Sequence, residues 1–125
     1  SKVLRQSKKD TATIVAAGIT LFEALKAYEE LKKKNIFARV IDLYSIKPVD
    51  KKTLLKAAKE TGRIITVEDH YVEGGIGSAV LEALEGKFPV EVMAVKKMPK
   101  SGSPQELLEY EGISAKDIAK KIISR

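Results

Sequence analysis

Several residue types that support chemistry are missing or rare in this sequence. Its 125 residues include no cysteine, no tryptophan and one histidine. Without cysteine there is no disulfide, no thiolate nucleophile and no thiolate ligand for zinc or an iron–sulfur cluster. One histidine falls short of a histidine-based metal site, and no cluster of carboxylates replaces it. We therefore expect a fold that is held together by an apolar core and carries no metal site.

Long apolar stretches are also missing. No run approaches the roughly 20 residues that a membrane-spanning helix needs, and the N-terminus lacks the apolar centre of a signal peptide. The net charge is +6, but the four Tyr and three Phe are scattered rather than interleaved with basic residues, as a nucleic-acid surface requires. We predict a soluble cytoplasmic domain that binds neither nucleic acid nor a membrane, with basic residues mainly on solvated or docking surfaces.

Short apolar runs alternate with segments of helical periodicity. The runs at 13–17, 37–43, 63–68 and 90–95 are typical of buried strands. Helices between them imply right-handed crossovers and a parallel sheet. A first strand, Lys2–Gln6, is joined to the next by a turn too short for a crossover, so we expect it to be antiparallel. The sequence thus predicts an α/β fold: a three-layer α/β/α sandwich with a five-stranded, mostly parallel sheet and an antiparallel first strand.

Local signals indicate where the first helices begin and end. Thr20 and Glu23 have the spacing of a capping box, and Asn35 is suited to a left-handed helix end. Asp50 is a typical N-cap, and Gly62 is a typical C-terminal stop. We therefore expect helices between Thr20 and Asn35 and between Asp50 and Gly62.

Further helices are expected in the second half of the chain. One follows the glycines at 74–77, and a short one is capped by Ser103. Ser114 begins a terminal helix. Its apolar side is predicted to consist of Ile118, Ile122 and Ile123.

Titratable residues concentrate after the third of the four buried runs. Ligands of an open parallel sheet bind beyond the carboxyl ends of its strands, and only this end is rich in polar groups. The residues concerned are Glu68, Asp69, His70, Tyr71 and Glu73, followed by Gly74, Gly75 and Gly77. We take this loop as the candidate functional site.

Catalysis by this loop is the weaker interpretation. His70 is the natural acid–base candidate, because an unperturbed imidazole titrates near neutrality, and Asp69 and Glu73 are placed to orient it. The chain offers no cysteine nucleophile and no serine in a nucleophile elbow, however. A histidine among carboxylates is more often a hydrogen-bonded structural or interface residue.

The glycines of the loop also suggest phosphate binding, since free amides at a helix start attract anions. Their spacing is G-G-x-G rather than G-x-G-x-x-G, and three neighbouring carboxylates would repel a phosphate. We favour a tight structural turn in which Gly75 provides a positive φ or a close contact. Anion or nucleotide binding at Gly74–Gly77 stays open as the alternative.

Four segments resemble one protein family, in order and with few gaps. They read IVAAGITLFEAL, ARVIDLYSIKPVD, GRIITVEDHYVEGGIGSAVLEAL and MPKSGSPQELLEYEGI. They closely resemble the C-terminal domain of transketolase, most specifically in Thr66–Gly77 and Pro99–Leu108. The C-terminal domains of 2-oxo-acid dehydrogenase β subunits and deoxyxylulose-phosphate synthase resemble these two pieces less well. The resemblance implies one domain over residues 1–125, excised from a longer chain or forming part of a split subunit.

The family resemblance also implies a reaction and its partners. Transketolases transfer a two-carbon ketol unit from a ketose phosphate to an aldose phosphate, using thiamine diphosphate held by Mg²⁺ or Ca²⁺. The cofactor lies between a diphosphate-binding and a pyrimidine-binding domain at a homodimer interface. This sequence lacks the GDG…NN metal motif and the pyrimidine domain's glutamate in its usual setting. We therefore carry over no catalytic, cofactor-binding or metal residue, and expect the isolated domain to be inactive and to bind no cofactor.

In the family, the segment that matches Glu68–Gly77 belongs to a domain that packs on the pyrimidine domain and helps to bury the dimer interface. The resemblance therefore assigns a structural or interface role to the eight loop residues named above. We expect an exposed apolar patch around Tyr71, Val72 and Ile76. The chain is interpreted as an assembly domain of a transketolase, with a small regulatory anion-binding domain as the alternative.

Overall fold

The computed structural model describes residues 2–43, 50–71, 75–95 and 114–124. The strands are β1 Lys2–Arg5, β2 Thr13–Ala16, β3 Arg39–Asp42, β4 Ile64–Tyr71 and β5 Val90–Val95. The helices are α1 Ile19–Lys33, α2 Lys51–Thr61, α3 Ile76–Ala83 and α4 Ala115–Ile123.

The strands form one sheet in the order β1-β3-β2-β4-β5. Strand β1 pairs with β3 in antiparallel orientation, with Lys2 opposite Asp42. The pairs β2–β3, β2–β4 and β4–β5 are parallel. The predicted five-stranded sheet with an antiparallel first strand is therefore confirmed.

Helices cover both faces of the sheet, which confirms the three-layer arrangement. Ile14 and Val15 are neighbours in β2 and face opposite sides, as the alternation of a strand requires. Ile14 packs in a core with α1 and α4, and Val15 packs in a second core with α2 and α3. Both side chains are fully buried, and each such burial is worth about 1.5–3 kcal/mol.

Three of the local helix signals are confirmed. Asp50 caps α2, with its Oδ1 accepting a hydrogen bond from the Thr53 amide at 3.2 Å. Gly62 ends that helix in the left-handed region, at φ 73°. Asn35 follows α1 with a φ of 60°, which also agrees with prediction.

The capping box predicted at the start of α1 is wrong. Gly18 is the N-cap and, as a glycine, has no side chain to cap the helix. Thr20 and Glu23 instead contact strand β4 and helix α4, far away in the sequence. Both side chains face the protein interior, so distant partners are added to the local bonds that Thr20 makes with Ala17 and Glu23 with Lys26.

Some element bounds also differ from prediction. Strand β3 begins at Arg39 rather than at Phe37, and β4 continues to Tyr71, through residues expected in a loop. Ile118 and Ile122 of α4 are buried as predicted, whereas Ile123 is 47% exposed and wrongly assigned to the core. The short helix predicted after Ser103 lies outside the described residues.

Candidate functional site

Glu68 organises the carboxyl end of β4. Its side chain is almost completely buried, with 1% of its surface exposed. The carboxylate accepts a hydrogen bond from the Ile76 amide at 2.6 Å and one from the Gly77 amide at 3.0 Å. These amides belong to the first turn of α3, where N–H groups lack partners within the helix and the helix dipole favours a negative charge. Glu68 is therefore an N-terminal cap for α3, supplied by the preceding strand.

Gly75 lies directly over this carboxylate. A Cβ atom at Gly75 would collide with the Glu68 carboxylate oxygens and lie 2.5 Å from its Cδ. The backbone of Gly75 is extended, with φ −95°, so of the two reasons expected for a glycine here the positive φ is wrong and the close contact is confirmed. Glycine is needed because the Glu68 carboxylate occupies the space of a side chain.

Gly77 is restricted by the sheet below it. An added Cβ would lie 2.8 Å from Cγ2 of Val92 and 3.3 Å from Oγ1 of Thr66. Helix α3 thus begins in close contact with β4 and β5. The Thr66 hydroxyl is buried there without a hydrogen-bond partner in the described part of the chain.

This geometry gives no support to anion binding at the glycine turn. The Ile76 and Gly77 amides, which an anion would use, already bind Glu68. A phosphate at that position would also face the negative charge of a buried carboxylate. Gly74 lies outside the described residues.

The other predicted site residues are placed only in part. Asp69, His70 and Tyr71 form the end of β4, where the pairing with β5 shifts register between Glu68 and Tyr71. Their side chains, with Val72 and Glu73, lie outside the described part of the structure. Ile76 is only 3% exposed and packs in the α2–α3 core, so its assignment to an exposed patch is wrong. The structure brings together Glu68, Gly75 and Gly77.

Thr20 contributes hydrogen bonds at the carboxyl ends of the strands, which the sequence analysis did not predict. The residue is fully buried at the start of α1. Its hydroxyl accepts from the Ala17 amide at 3.2 Å and lies 2.9 Å from the Val67 carbonyl oxygen. Thr20 therefore joins the ends of β2 and β4, next to Glu68.

Glu23 is a second buried carboxylate at a helix start. One oxygen accepts from the Ala115 amide at 3.0 Å, and the other binds the Lys26 ammonium at 3.0 Å. Ala115 is the first residue of α4. The T-x-x-E spacing was the available signal, but it indicates a local cap rather than a partner 92 residues away.

At the opposite edge, Arg63 holds the other end of α4. Its Nε and Nη2 donate to the Glu91 carboxylate at 2.5 and 2.8 Å, and Nη1 donates to the Ile122 carbonyl at 2.9 Å. The hydrogen bond from Arg63 lowers the pKa of Glu91, and the same bond raises the pKa of Arg63. Glu23 holds the start of α4 and Arg63 holds its end, so we assign both charged groups a structural role.

Metal-binding clusters and membrane-spanning helices are both absent from the described ranges. No group of three or more His, Cys, Asp or Glu side chains in residues 2–43, 50–71, 75–95 and 114–124 is arranged to hold a metal ion. No helix in that part of the chain is long and apolar enough to cross a membrane.

Comparison with known sequences finds one family. The family described as "Transketolase, C-terminal domain" matches residues 1–118. Mouse "Transketolase-like protein 2" is 54% identical over 121 residues, which are 94% of this chain and 19% of that protein. Human "Transketolase" is 50% identical over 125 residues, which are 98% of this chain and 20% of that protein. The chain thus spans about a fifth of the length of the curated relatives it matches.

Solved structures show the same fold. The structure titled "Split gene transketolase, inactive beta4 tetramer" superimposes with a TM-score of 0.85 at 40% identity, covering 98% of this chain and 40% of that one. Transketolase from Campylobacter jejuni gives a TM-score of 0.72 at 21% identity, covering 98% of this chain and 18% of that one. At that identity the second likeness concerns the fold alone.

Proposed function

This chain belongs to the transketolase C-terminal domain family, and from that premise we propose that it is the assembly and dimer-interface domain of a transketolase. The proposal treats residues 1–125 as one domain of a cytoplasmic enzyme. That enzyme transfers a two-carbon ketol unit from a ketose phosphate to an aldose phosphate. The observation that carries the proposal is the family match over residues 1–118.

The burial and the hydrogen bonds of Glu68 support a structural role for the site. Its two oxygens are bound to backbone amides, and its side chain is buried. A carboxylate held in this way fixes the turn between β4 and α3, whereas a general acid or base must reach a substrate proton. The same turn follows the end of β4, where Asp69, His70 and Tyr71 lie and where the pairing with β5 shifts register.

The described residues do not fit thiamine diphosphate or its metal ion. The amides at the start of α3 are occupied by Glu68, and the described side chains form no metal-binding cluster. We derive no catalytic step from this chain. In the proposal, the diphosphate-binding and pyrimidine-binding domains hold the cofactor with Mg²⁺ or Ca²⁺. They belong to the same polypeptide or to a separate N-terminal subunit, and the complete enzyme is a homodimer.

The proposed interface consists of the loop residues at the end of β4. Asp69, His70, Tyr71 and Glu73 supply its polar and aromatic side chains, and Gly74 is assigned to close packing beside them. Gly75 and Gly77 allow close packing within the domain, against Glu68 and Val92. Family resemblance supports this assignment, and so does the anchored turn beside it. In the proposal a partner covers Tyr71 and Val72, and the burial of apolar side chains is favourable in proportion to the area buried.

Co-expression tests the proposal directly. The diphosphate-binding and pyrimidine-binding portion of the parent enzyme is expressed with this chain in three forms: wild type, Tyr71→Lys/Val72→Lys, and the control Ile123→Lys/Ser124→Lys. The control adds the same charge at an exposed site on α4. We expect the wild-type and control chains to co-purify with that portion and to give ketol transfer, and the loop variant to lose both.

Two results would contradict the proposal. One is equal assembly and equal activity for the wild-type chain and the loop variant. The other is cofactor-dependent ketol transfer by the purified chain alone. A saturable thermal shift with nucleotides that Gly74→Ala abolishes would instead support the regulatory alternative. A ligand at 100 times its Kd stabilises a fold by about 2.7 kcal/mol, which such an assay detects readily.

A further inference from the structure

A polar pocket lies at the edge of the sheet opposite Glu68. Its volume is about 570 Å³, and it is lined by Gln6, Ser7, Lys8, Asp10, Arg39 and Glu60. Arg39 begins β3 and Glu60 lies in the last turn of α2, so the pocket is at the amino ends of the parallel strands. Small-molecule sites have volumes of about 300–1,000 Å³. The pocket is therefore large enough for a small ligand and is separate from the proposed interface.

Arg39 is the unusual residue of this pocket. Its side chain is only 5% exposed, and a guanidinium carries five N–H donors. Its Nε has no hydrogen-bond partner among the described residues, and the nearest carboxylate oxygen, Oδ2 of Asp10, is 3.5 Å away. Oε1 of Glu60 is closer to the guanidinium, at 2.8 Å from Nη2. Arg39 is therefore ion-paired but has one buried donor, Nε, without a hydrogen-bond partner in the described part of the chain, which costs free energy.

The two carboxylates beside Arg39 differ in their freedom to move. Asp10 is 2% exposed in its side chain, and both its oxygens accept from Ser7, from the amide and from the hydroxyl, each at 2.8 Å. It is fixed because it closes the turn between β1 and β2. Glu60 is 45% exposed, so its side chain can rotate into water. The contact between Arg39 and Glu60 is therefore the exchangeable one.

The charges around the pocket favour an oxyanion once Glu60 moves away. Lys8 and Arg39 are positive, and Asp10 and Glu60 are negative. Within the described part of the chain, no ion pair involves Lys8. Without Glu60 the pocket has one positive charge in excess. A guanidinium fork binds phosphate and carboxylate groups well, because its N–H donors match their oxygens.

We infer that this pocket binds a small ligand through a phosphate or carboxylate group, which replaces Glu60 at the Arg39 guanidinium and pairs with Lys8. Glu60 acts as an internal competitor that covers Arg39 in the free protein. The inference does not depend on the proposed interface, since the two sites lie at opposite edges of the sheet.

Amide chemical shifts in a ¹⁵N-labelled sample of the 125-residue chain test the inference. Inorganic phosphate and, separately, acetate are titrated in a non-phosphate buffer at constant ionic strength. We expect saturable shifts that are confined to Ser7–Asp10, Arg39 and Glu60. The preferred anion identifies the ligand group, and tighter binding of glycerol 3-phosphate than of inorganic phosphate would indicate an organic phosphate.

Charge variants with matched controls identify the site. Glu60→Gln removes the competitor, and Glu82→Gln removes the same charge from the exposed face of α3. Lys8→Ala removes the second cation, and Lys52→Ala is its control on α2. We expect Glu60→Gln to tighten phosphate binding about two- to fivefold and Lys8→Ala to weaken it by a similar factor, as for a partly exposed ion pair.

Three outcomes would overturn the inference. The first is the absence of saturable shifts in the wild-type chain and in Glu60→Gln. The second is a pattern spread over many lysines, which would indicate general attraction to a basic protein. The third is an equal effect of each variant and its control.

Discussion

Substitution of Gly75 by alanine is the sharpest test of the β4–α3 turn. Gly75 has an ordinary extended backbone, so alanine meets no conformational penalty there. The new Cβ would, however, collide with the Glu68 carboxylate and lie 2.5 Å from its Cδ. Either the carboxylate or the start of α3 must move.

The size of the effect follows from what holds Glu68 in place. Its carboxylate is buried and accepts hydrogen bonds from Ile76 and Gly77. A hydrogen bond to a charged group contributes about 1.5–3 kcal/mol, and an added methyl in a packed site costs about 1–3 kcal/mol. Partial relaxation leaves an expected loss of about 2–4 kcal/mol in the free energy of unfolding, or about 8–15 °C in Tm for a chain of this size.

Urea and thermal unfolding followed by circular dichroism measure this loss. Gly62→Ala is an informative control, because Gly62 has a φ of 73° and, apart from its chain neighbours, no described residue has an atom within 4 Å of an added Cβ. Its expected cost is about 1 kcal/mol, from the left-handed backbone alone. We therefore expect Gly75→Ala to destabilise the chain more than Gly62→Ala does.

A second-site variant separates the collision from any other cause. In a Glu68→Ala background the carboxylate is gone, so a further Gly75→Ala change should cost about 0.5 kcal/mol or less. Equal costs of Gly75→Ala with and without Glu68 would refute the collision. So would a wild-type Tm for Gly75→Ala.

Two further predictions concern single buried or paired groups. Thr66→Val should leave the free energy of unfolding unchanged or raise it by up to about 1 kcal/mol, because the buried hydroxyl has no described partner; urea unfolding measures this, and a clear loss would reveal a bond to that hydroxyl. The pKa of Glu91 is lowered by its hydrogen bond from Arg63. The stability that this carboxylate supplies is therefore complete above its ordinary pKa of 4.5 and is lost as the pH falls through the lower pKa of the folded state. Below pH 5, the Tm of Glu91→Gln should therefore fall less with decreasing pH than the Tm of the wild type. Glu82→Gln, at an exposed site, should leave that decrease in Tm unchanged.

The layout of the fold was available from local sequence features. A run of four to six apolar residues can form a strand buried on both faces, and a turn as short as Ser7–Asp10 excludes a parallel crossover. Asp50 begins helix α2 and Gly62 ends it, as predicted, because the hydrogen-bond partners of both residues lie three or four residues away. Signals of this kind depend on the chain's immediate neighbourhood, which the sequence contains.

The candidate site was found in the sequence, but its internal arrangement was not. Glu68 was singled out as a polar residue at a strand end, and Gly75 and Gly77 as the glycines of a turn. That the carboxylate lies beneath Gly75 and caps α3 depends on how the helix docks on β4 and β5. The sequence left open whether Gly75 provides a positive φ or a close contact, and only the docked helix shows that the close contact is the reason.

Thr20 and Glu23 show the difference between what the sequence determines and what the tertiary structure determines. The T-x-x-E spacing determined that two polar side chains would lie near the start of a helix. Packing of α1 against the sheet and α4 decided their partners, a carbonyl 47 residues away and an amide 92 residues away. Both residues also keep local partners, Ala17 for Thr20 and Lys26 for Glu23. A buried polar group must find hydrogen bonds, and here the interior supplied some of them. Sequence alone therefore determined which groups needed partners, and only the assembled fold decided which partners they found.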